Sequence, residues 1–145
     1  MKKTTLLTVL VLFLSISLSS QITLVKDILT SDGDAWVNGF TAGNNFAIFS
    51  YFGGNSAEIW ATDGTEVGTI NISSNINDEI FNIFDETLVI GNTLYFVLET
   101  SNLGAELYKT DGTLAGTSLV KDINPSFGAT PGNFVSINNI LYFCK

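Results

Sequence analysis

The sequence predicts an all-β fold built from tandem four-stranded antiparallel repeats of about 48 residues, and three observations support this prediction. First, AEIWATDGTEVGT begins at Ala57, and its near-copy AELYKTDGTLAGT begins at Ala105, 48 positions later. Second, Gly and Asn pairs recur where two strands would be joined. Third, beyond the first twenty residues no apolar run shows the 3.6-residue period of a helix, so we expect little helix there.

Each repeat is expected to begin with a hairpin. The segments GFTAGNNFAIFSYF, TLVIGNTLYFVL and FVSINNILYFC, at 39–52, 87–98 and 134–144, align with Gly-Asn or Asn-Asn at the turn. Gly and Asn tolerate the positive φ that two-residue turns between antiparallel strands require. The strand after the turn is apolar at consecutive positions, as in LYFVL at 94–98. It is therefore expected to be covered on both faces.

An Asp-Gly pair follows the third strand of the repeat. Third strands are expected at Ala57 to Thr62 and at Ala105 to Thr110, and fourth strands at Thr69 to Ile72 and at Thr117 to Ile123. Because Asp-Gly is a strong hairpin signal, the sequence predicts sharp structural turns between them. The turn residues are Asp63, Gly64, Asp111 and Gly112.

The pentapeptide LVKDI occurs at 24–28 and returns unchanged at 119–123, two repeats later. We therefore interpret residues 22–28 as a segment that favours β-strand structure. The middle copy, from Ile72 to Glu86, does not follow the repeat at this position.

The first twenty residues have the features of a secretory signal peptide. Lys2 and Lys3 precede an apolar run from Leu6 to Leu18, and small serines follow. We expect cleavage near Ser19 or Ser20 and a secreted or cell-surface location. A membrane anchor is the alternative, but a spanning helix needs about 20 apolar residues and this run is shorter.

The domain organisation follows from these two features. Residues 1–20 are the signal peptide and residues 21–145 the repeat region, with units at about 21–71 and 72–119 and a partial unit at 120–145. A four-stranded unit of this length is typical of β-propeller blades. The repeat region holds about 2.6 units, whereas propellers close with roughly 4 to 8 blades. We therefore expect an incomplete propeller, as in an N-terminal fragment of a longer protein.

Composition excludes several functions. The chain has 14 Asp and Glu, 6 Lys and Arg and no His, and its net charge is −8. Nucleic-acid binding depends on Lys and Arg, so we expect neither a nucleic-acid partner nor, after signal cleavage, a membrane. Without His, the chain has no Ser-His-Asp triad and no His-ligated zinc. Cys144 is the single cysteine, so it can form no internal disulfide. Paired carboxylates, as in propeller glycosidases, stay possible.

The second copy also carries a family resemblance. AELYKTDGTLAGTSLVKDINP, at 105–125, closely resembles the ELWKTDGTxAGTxLVKDI repeat of large secreted bacterial proteins, many from Bacteroidetes. The resemblance covers nearly all of the chain beyond residue 20, although Ile59 and Tyr108 depart from the motif. It implies β-propeller-like repeats in a secreted or surface-exposed protein, often one with a C-terminal sorting domain. The resemblance thus says more about the architecture and the location of the protein than about any reaction or ligand.

Three carboxylates near the start of the repeat region are the candidate metal ligands. Asp27, Asp32 and Asp34 offer the hard oxygens that calcium prefers, in a loop that contains Gly. Their spacing is not that of an EF-hand, and the later copy of this loop has Phe127 and Ala129 in place of two of them. Calcium is the one cofactor that these residues suggest.

Aromatic and acidic residues in the strands have structural interpretations beside the functional ones. Trp36, expected in a loop outside the regular strands, is the candidate for stacking on a sugar ring, whereas Trp60 is more typical of packing between sheets. Glu58 and Glu106 occupy equivalent repeat positions. We expect both to be exposed and to face Lys109 or Lys121 across a strand.

These observations predict a non-catalytic secreted repeat module for binding, adhesion or scaffolding. Its expected partners are a protein or glycan ligand and further blades of the same protein. The alternative is a segment of a carbohydrate-active propeller enzyme whose carboxylates lie largely in other blades. We expect no catalysis by the residues of this chain.

Overall fold

The computed structural model describes residues 24–28, 36–53, 57–126 and 128–145, and these ranges contain ten β-strands and no helix. The all-β prediction is therefore confirmed, while the proposed signal peptide lies outside the described residues. The strands are β1 (Trp36–Ala42), β2 (Ala47–Phe52), β3 (Ala57–Thr62), β4 (Ile70–Asn71), β5 (Ile80–Ile90), β6 (Thr93–Thr100), β7 (Gly104–Thr110), β8 (Ser118–Lys121), β9 (Gly132–Ile137) and β10 (Ile140–Cys144).

The strands form three antiparallel sheets, none of which closes on itself. Their strand orders are β1-β2-β3-β4, β5-β6-β7-β8 and β10-β9, so each strand pairs with its neighbour in sequence. Short connections favour such meanders because antiparallel strands need only a brief turn between them. The first two sheets have the same four-stranded order.

Two of the three expected hairpin turns have two residues, and the first is longer. Asn138 and Asn139, with φ of 53° and 62°, join β9 to β10, and Gly91, with φ of 61°, lies between β5 and β6. Between β1 and β2 the loop has four residues, and the Gly43 amide donates to the Phe46 carbonyl at 2.7 Å. The prediction of a two-residue turn at Gly43 is therefore wrong.

Strand bounds also differ from the expected ones in the middle copy. β5 begins at Ile80, seven residues before the expected Thr87, with a register shift between Ile83 and Thr87. Ile80 is buried in the core and Ile83 packs against it. Burial of these apolar side chains extends the strand where the repeat pattern is lost.

The main core contains residues from both four-stranded sheets. Ile48 and Ile59 of the first sheet belong to the same cluster as Leu98 of the second. Val97 and Leu98 are consecutive in β6, so their side chains point to opposite faces, and only 1% and 0% of their surfaces are exposed. β6 is thus covered on both faces, as its sequence predicts.

β5 links the second sheet to both of the others. It contacts β1 and β3 of the first sheet and β9 of the third. The Phe134 amide of β9 donates to Glu86 Oε1 of β5 at 2.8 Å, and Asn44 Nδ2, in the β1–β2 loop, donates to the Gly91 carbonyl. These contacts join the three sheets in sequence order.

Glu106 corrects one expectation from the sequence, because its side chain is fully buried rather than exposed. Oε2 accepts a hydrogen bond from the Ile123 amide at 3.0 Å, and Oε1 accepts one from the Asn124 amide at 3.2 Å. The chain turns back against β7 just after β8 and so covers this carboxylate. Glu58 in β3 is only half-buried and accepts from Trp60 Nε1 at 2.8 Å.

Candidate functional site

The two TDGTxxGT segments form seven-residue loops between β3 and β4 and between β7 and β8, not tight hairpin turns. Asp63 Oδ1 accepts hydrogen bonds from the amide and the hydroxyl of Thr65, at 2.9 and 2.7 Å. Thr65 Oγ1 in turn accepts from the Gly68 amide at 2.9 Å. The same three bonds, at 3.0, 2.6 and 3.0 Å, connect Asp111, Thr113 and Gly116.

The second glycine of each loop is explained by the position of the carboxylate. A Cβ atom at Gly68 would lie 2.0 Å from Asp63 Oδ1, and one at Gly116 would lie 2.0 Å from Asp111 Oδ1. Hydrogen bonds from Thr65 and Thr113 hold the pKa values of the two carboxyls below their ordinary value. The two aspartates are therefore ionised at neutral pH and engaged within their own loops.

The residues singled out near the start of the repeat region are only partly described. Asp27 is exposed, while Asp32 and Asp34 lie outside the described residues, so the calcium site stays a prediction. Trp36 is 74% exposed, but it is the first residue of β1 and pairs with Phe52, which corrects its expected position in a loop. Within the described ranges, no three Asp, Glu, Cys or His side chains converge on a common point.

Trp60 has contacts that account for it structurally. Besides the bond from its indole to Glu58, its ring lies beneath the Lys26 ammonium, with Nζ 5.7 Å from the ring centroid. Lys26 Nζ also donates to the Thr69 carbonyl at 2.8 Å. The LVKDI segment at 24–28 is thereby attached to the first sheet.

A cleft with a volume of about 410 Å³ is the candidate ligand site, and we call it the loop cleft. It opens between the loop that precedes β5 and the loop that joins β6 to β7. The residues that line the loop cleft are Asn75, Ile76, Asn77, Asp78, Asn102, Leu103, Tyr108, Thr117, Ser118 and Leu119.

Asp78 connects the two loops that form the cleft. Its Oδ1 accepts hydrogen bonds from the Glu79 amide at 2.9 Å, from Asn102 Nδ2 at 2.7 Å and from the Ser101 hydroxyl. Its Oδ2 accepts from the Asn102 amide at 3.0 Å. Burial, the largest single influence, raises the pKa of Asp78, but the hydrogen bonds together outweigh it and hold the pKa below its ordinary value.

The remaining lining residues combine apolar and amide groups. Ile76, Leu103, Leu119 and Tyr108 supply apolar and aromatic surface, and burial raises the pKa of Tyr108, which is a neutral phenol at physiological pH. The three asparagines supply amide donors and acceptors. Asp78 is the single carboxylate in the lining, whereas paired-acid glycoside hydrolysis requires two. This arrangement is suited to binding an uncharged polar ligand.

The repeat pattern gave no reason to expect the loop cleft, because the second copy departs from it between Ile72 and Glu86. The signal that could have indicated it is the asparagine-rich stretch NISSNIND at 71–78, which interrupts the repeat just before β5. After Asn71, the last residue of β4, this stretch is mostly polar and lies in no strand, as binding loops on a β-scaffold often do.

Comparison with protein-family models, with curated proteins and with solved structures gives no match to this chain. The fold places this chain among the all-β proteins whose antiparallel sheets are meanders, with each strand paired to its neighbour in sequence. In the part of the chain that the structure describes, no helix has the length and apolar character needed to cross a membrane.

Proposed function

We propose that this chain is a secreted, non-catalytic β-propeller-like repeat module that serves binding, adhesion or scaffolding. The loop cleft is its ligand site, and a neutral glycan or an uncharged segment of a protein is its ligand class. The observation that carries this proposal is the lining of the cleft, in which amide and apolar groups surround one carboxylate that already accepts four hydrogen bonds.

The contacts between sheets support the propeller-like arrangement. Sheets that radiate from an axis come closest through their equivalent inner strands and diverge outwards. β1, β5 and β9 are the first strands of the three sheets, and β5 contacts both of the others, although it also contacts β3 of the first sheet. Coverage of β6 on both faces is also typical of a sheet that lies between two neighbours. Further repeats of the same kind would continue the series beyond β9 and β10.

Secretion is proposed from the sequence of residues 1–20. It is tested by expressing the full chain in a bacterium and measuring the intact mass of the exported protein. We expect the mass to correspond to removal of residues 1–19 or 1–20. An uncleaved mass in the membrane fraction would support the anchor instead.

The binding role is tested with an array of neutral oligosaccharides and with two variants of the full chain. Asn77→Ala removes an exposed amide from the loop cleft, while Asn82→Ala, the matched control, removes an exposed amide from β5. We expect at least one glycan to bind, with binding reduced about five-fold or more by Asn77→Ala and unchanged by Asn82→Ala, since a lost hydrogen bond is worth about 1 kcal/mol.

The binding proposal is wrong if no glycan and no extracellular protein ligand binds to the chain. It is also wrong if Asn77→Ala and Asn82→Ala reduce binding equally. Release of glycan fragments during the same incubation would instead favour the alternative, a carbohydrate-active enzyme.

A further inference from the structure

One edge of the third sheet has no partner among the described residues. β10 pairs with β9 alone, whereas its equivalents β2 and β6 each pair on both sides. The strands on the corresponding edge are β3 and β7, and their sequences share the pattern Ala-Glu-aliphatic-aromatic-x-Thr. The molecule thus contains two examples of what covers this edge.

The apolar side chains of β10 are more exposed than their equivalents in β6. By repeat position Phe143 is equivalent to Phe96 and Leu141 to Leu94, since both strands contain Leu-Tyr-Phe. Phe143 is 37% exposed, while Phe96 is 0% exposed and packs on Tyr108 of β7 with ring centroids 6.1 Å apart. Unpaired apolar edges of this kind readily accept a further strand.

We propose that the edge of β10 is a docking surface for a β7-type strand, presented by a hairpin with the sequence character of residues 103–124. The inference depends on the equivalence of β10 and β6, and not on the ligand-binding role proposed above. The partner is defined by its chemistry, as an Ala-Glu-aliphatic-aromatic-x-Thr strand followed by a TDGTxxGT loop.

Such a hairpin satisfies its own polar groups before it docks. Glu106 Oε1 and Oε2 accept the amide hydrogens of Asn124 and Ile123, so the buried carboxylate needs no donor from β10. The hydroxyls of Thr110 and Thr117 are 2.8 Å apart and connect the two ends of the TDGTxxGT loop. What remains for docking is the strand edge and the apolar side chains of β7.

The register of docking follows from the pairing of β6 with β7. Phe96 pairs with Tyr108, and Val97 pairs with Leu107. Transferred to β10, this register sets the Tyr108 equivalent opposite Phe143 and the Leu107 equivalent opposite Cys144. Cβ atoms of directly opposed residues are about 4.5–5.5 Å apart, which is close enough for a disulfide after small adjustment. Cys144 is exposed and is the single cysteine of the chain, so it reports this register.

The first experiment is disulfide trapping in a glutathione redox buffer. The full chain is mixed with a peptide of residues 103–124 that carries Leu107→Cys, and the yield of mixed disulfide is measured by intact mass. The control peptide carries Ala115→Cys, which leaves the strand unchanged and places the thiol in the exposed loop. We expect the Leu107→Cys peptide to couple at least ten-fold faster.

Three outcomes of this experiment would overturn the proposal. They are equal coupling of the two peptides, no coupling although Cys144 reacts with a small thiol reagent, and a Cys144–Cys144 dimer that forms in preference to coupling. The dimer would identify a second copy of the chain as the occupant of the edge.

The second experiment does not depend on how the isolated peptide folds. The full chain is extended after Lys145 by a copy of residues 99–124, which restores the spacing between β6 and β7, and is compared with an extension of scrambled sequence. We expect the native-order extension alone to slow labelling of Cys144 at least ten-fold and to raise the Tm. Equal labelling in both chains would refute the docking surface.

Discussion

Replacement of Gly112 by alanine, compared with the same change at Gly64, isolates one contact between the first two sheets. The two glycines occupy equivalent positions in the TDGTxxGT loops and have nearly the same φ, 88° and 89°. Alanine at either site therefore pays a similar backbone cost, about 1–2 kcal/mol.

The surroundings of the two glycines differ. A Cβ atom at Gly64 meets nothing within 4 Å, whereas one at Gly112 would lie 2.7 Å from Cγ and 2.9 Å from Cδ1 of Phe46. Phe46 belongs to the loop between β1 and β2, so this contact joins the first sheet to the second. Because Cγ is the base of a stiff ring, the ring must shift as a whole. Overpacking of this kind costs about 1–3 kcal/mol.

We therefore expect Gly112→Ala to lower the free energy of unfolding by about 1–3 kcal/mol more than Gly64→Ala does. The assay is urea denaturation of the full chain followed by tryptophan fluorescence. Phe46→Ala is the second arm of a double-mutant cycle, and in its presence the two glycine variants should become nearly equal. Equal losses in the chain that keeps Phe46 would refute the proposed contact.

Four further predictions test the loops and the buried carboxylate. Glu106→Ala should lower the free energy of unfolding by about 2–4 kcal/mol, because two partly buried amides lose their charged acceptor. Glu58→Ala should lower it by less than about 1 kcal/mol, and similar losses for the two variants in urea denaturation would contradict this account. Asn139→Gly should raise the Tm and Asn139→Ala should lower it, since the φ of 62° favours glycine; the reverse order would be evidence against a strained turn. The pKa of Asp111 is lowered in the folded chain, so the stabilising effect of its ionised carboxylate is complete above about pH 4 and is lost as the pH falls further. The Asp111→Asn variant should therefore lose less Tm on acidification than the unchanged chain does. An equal dependence of Tm on pH in the two proteins would contradict this role of Asp111. The calcium hypothesis predicts a rise in Tm on addition of calcium that disappears in Asp32→Ala, and it ends if calcium causes no shift.

Features that depend on neighbouring residues could be predicted from the sequence. The Asn138-Asn139 turn is one, because asparagine tolerates positive φ and flanking strands fix the loop length. Consecutive apolar residues in β6 correctly indicated a strand covered on both faces. The strand content and the antiparallel order of the sheets follow from the same local signals.

Features that depend on distant segments were decided by the tertiary structure. Glu106 is buried because residues 123–124 return to it after β8, a contact that no local pattern encodes. The Asp-Gly pairs open longer loops because each carboxylate bonds a threonine two residues on and lies against a glycine five residues on. The loop cleft requires Asp78 to meet Asn102 across 24 residues. Local backbone preference thus determined most strands and the turns at Gly91 and Asn138, while side-chain burial, the longer loops and the cleft depended on which segments the packed sheets bring together.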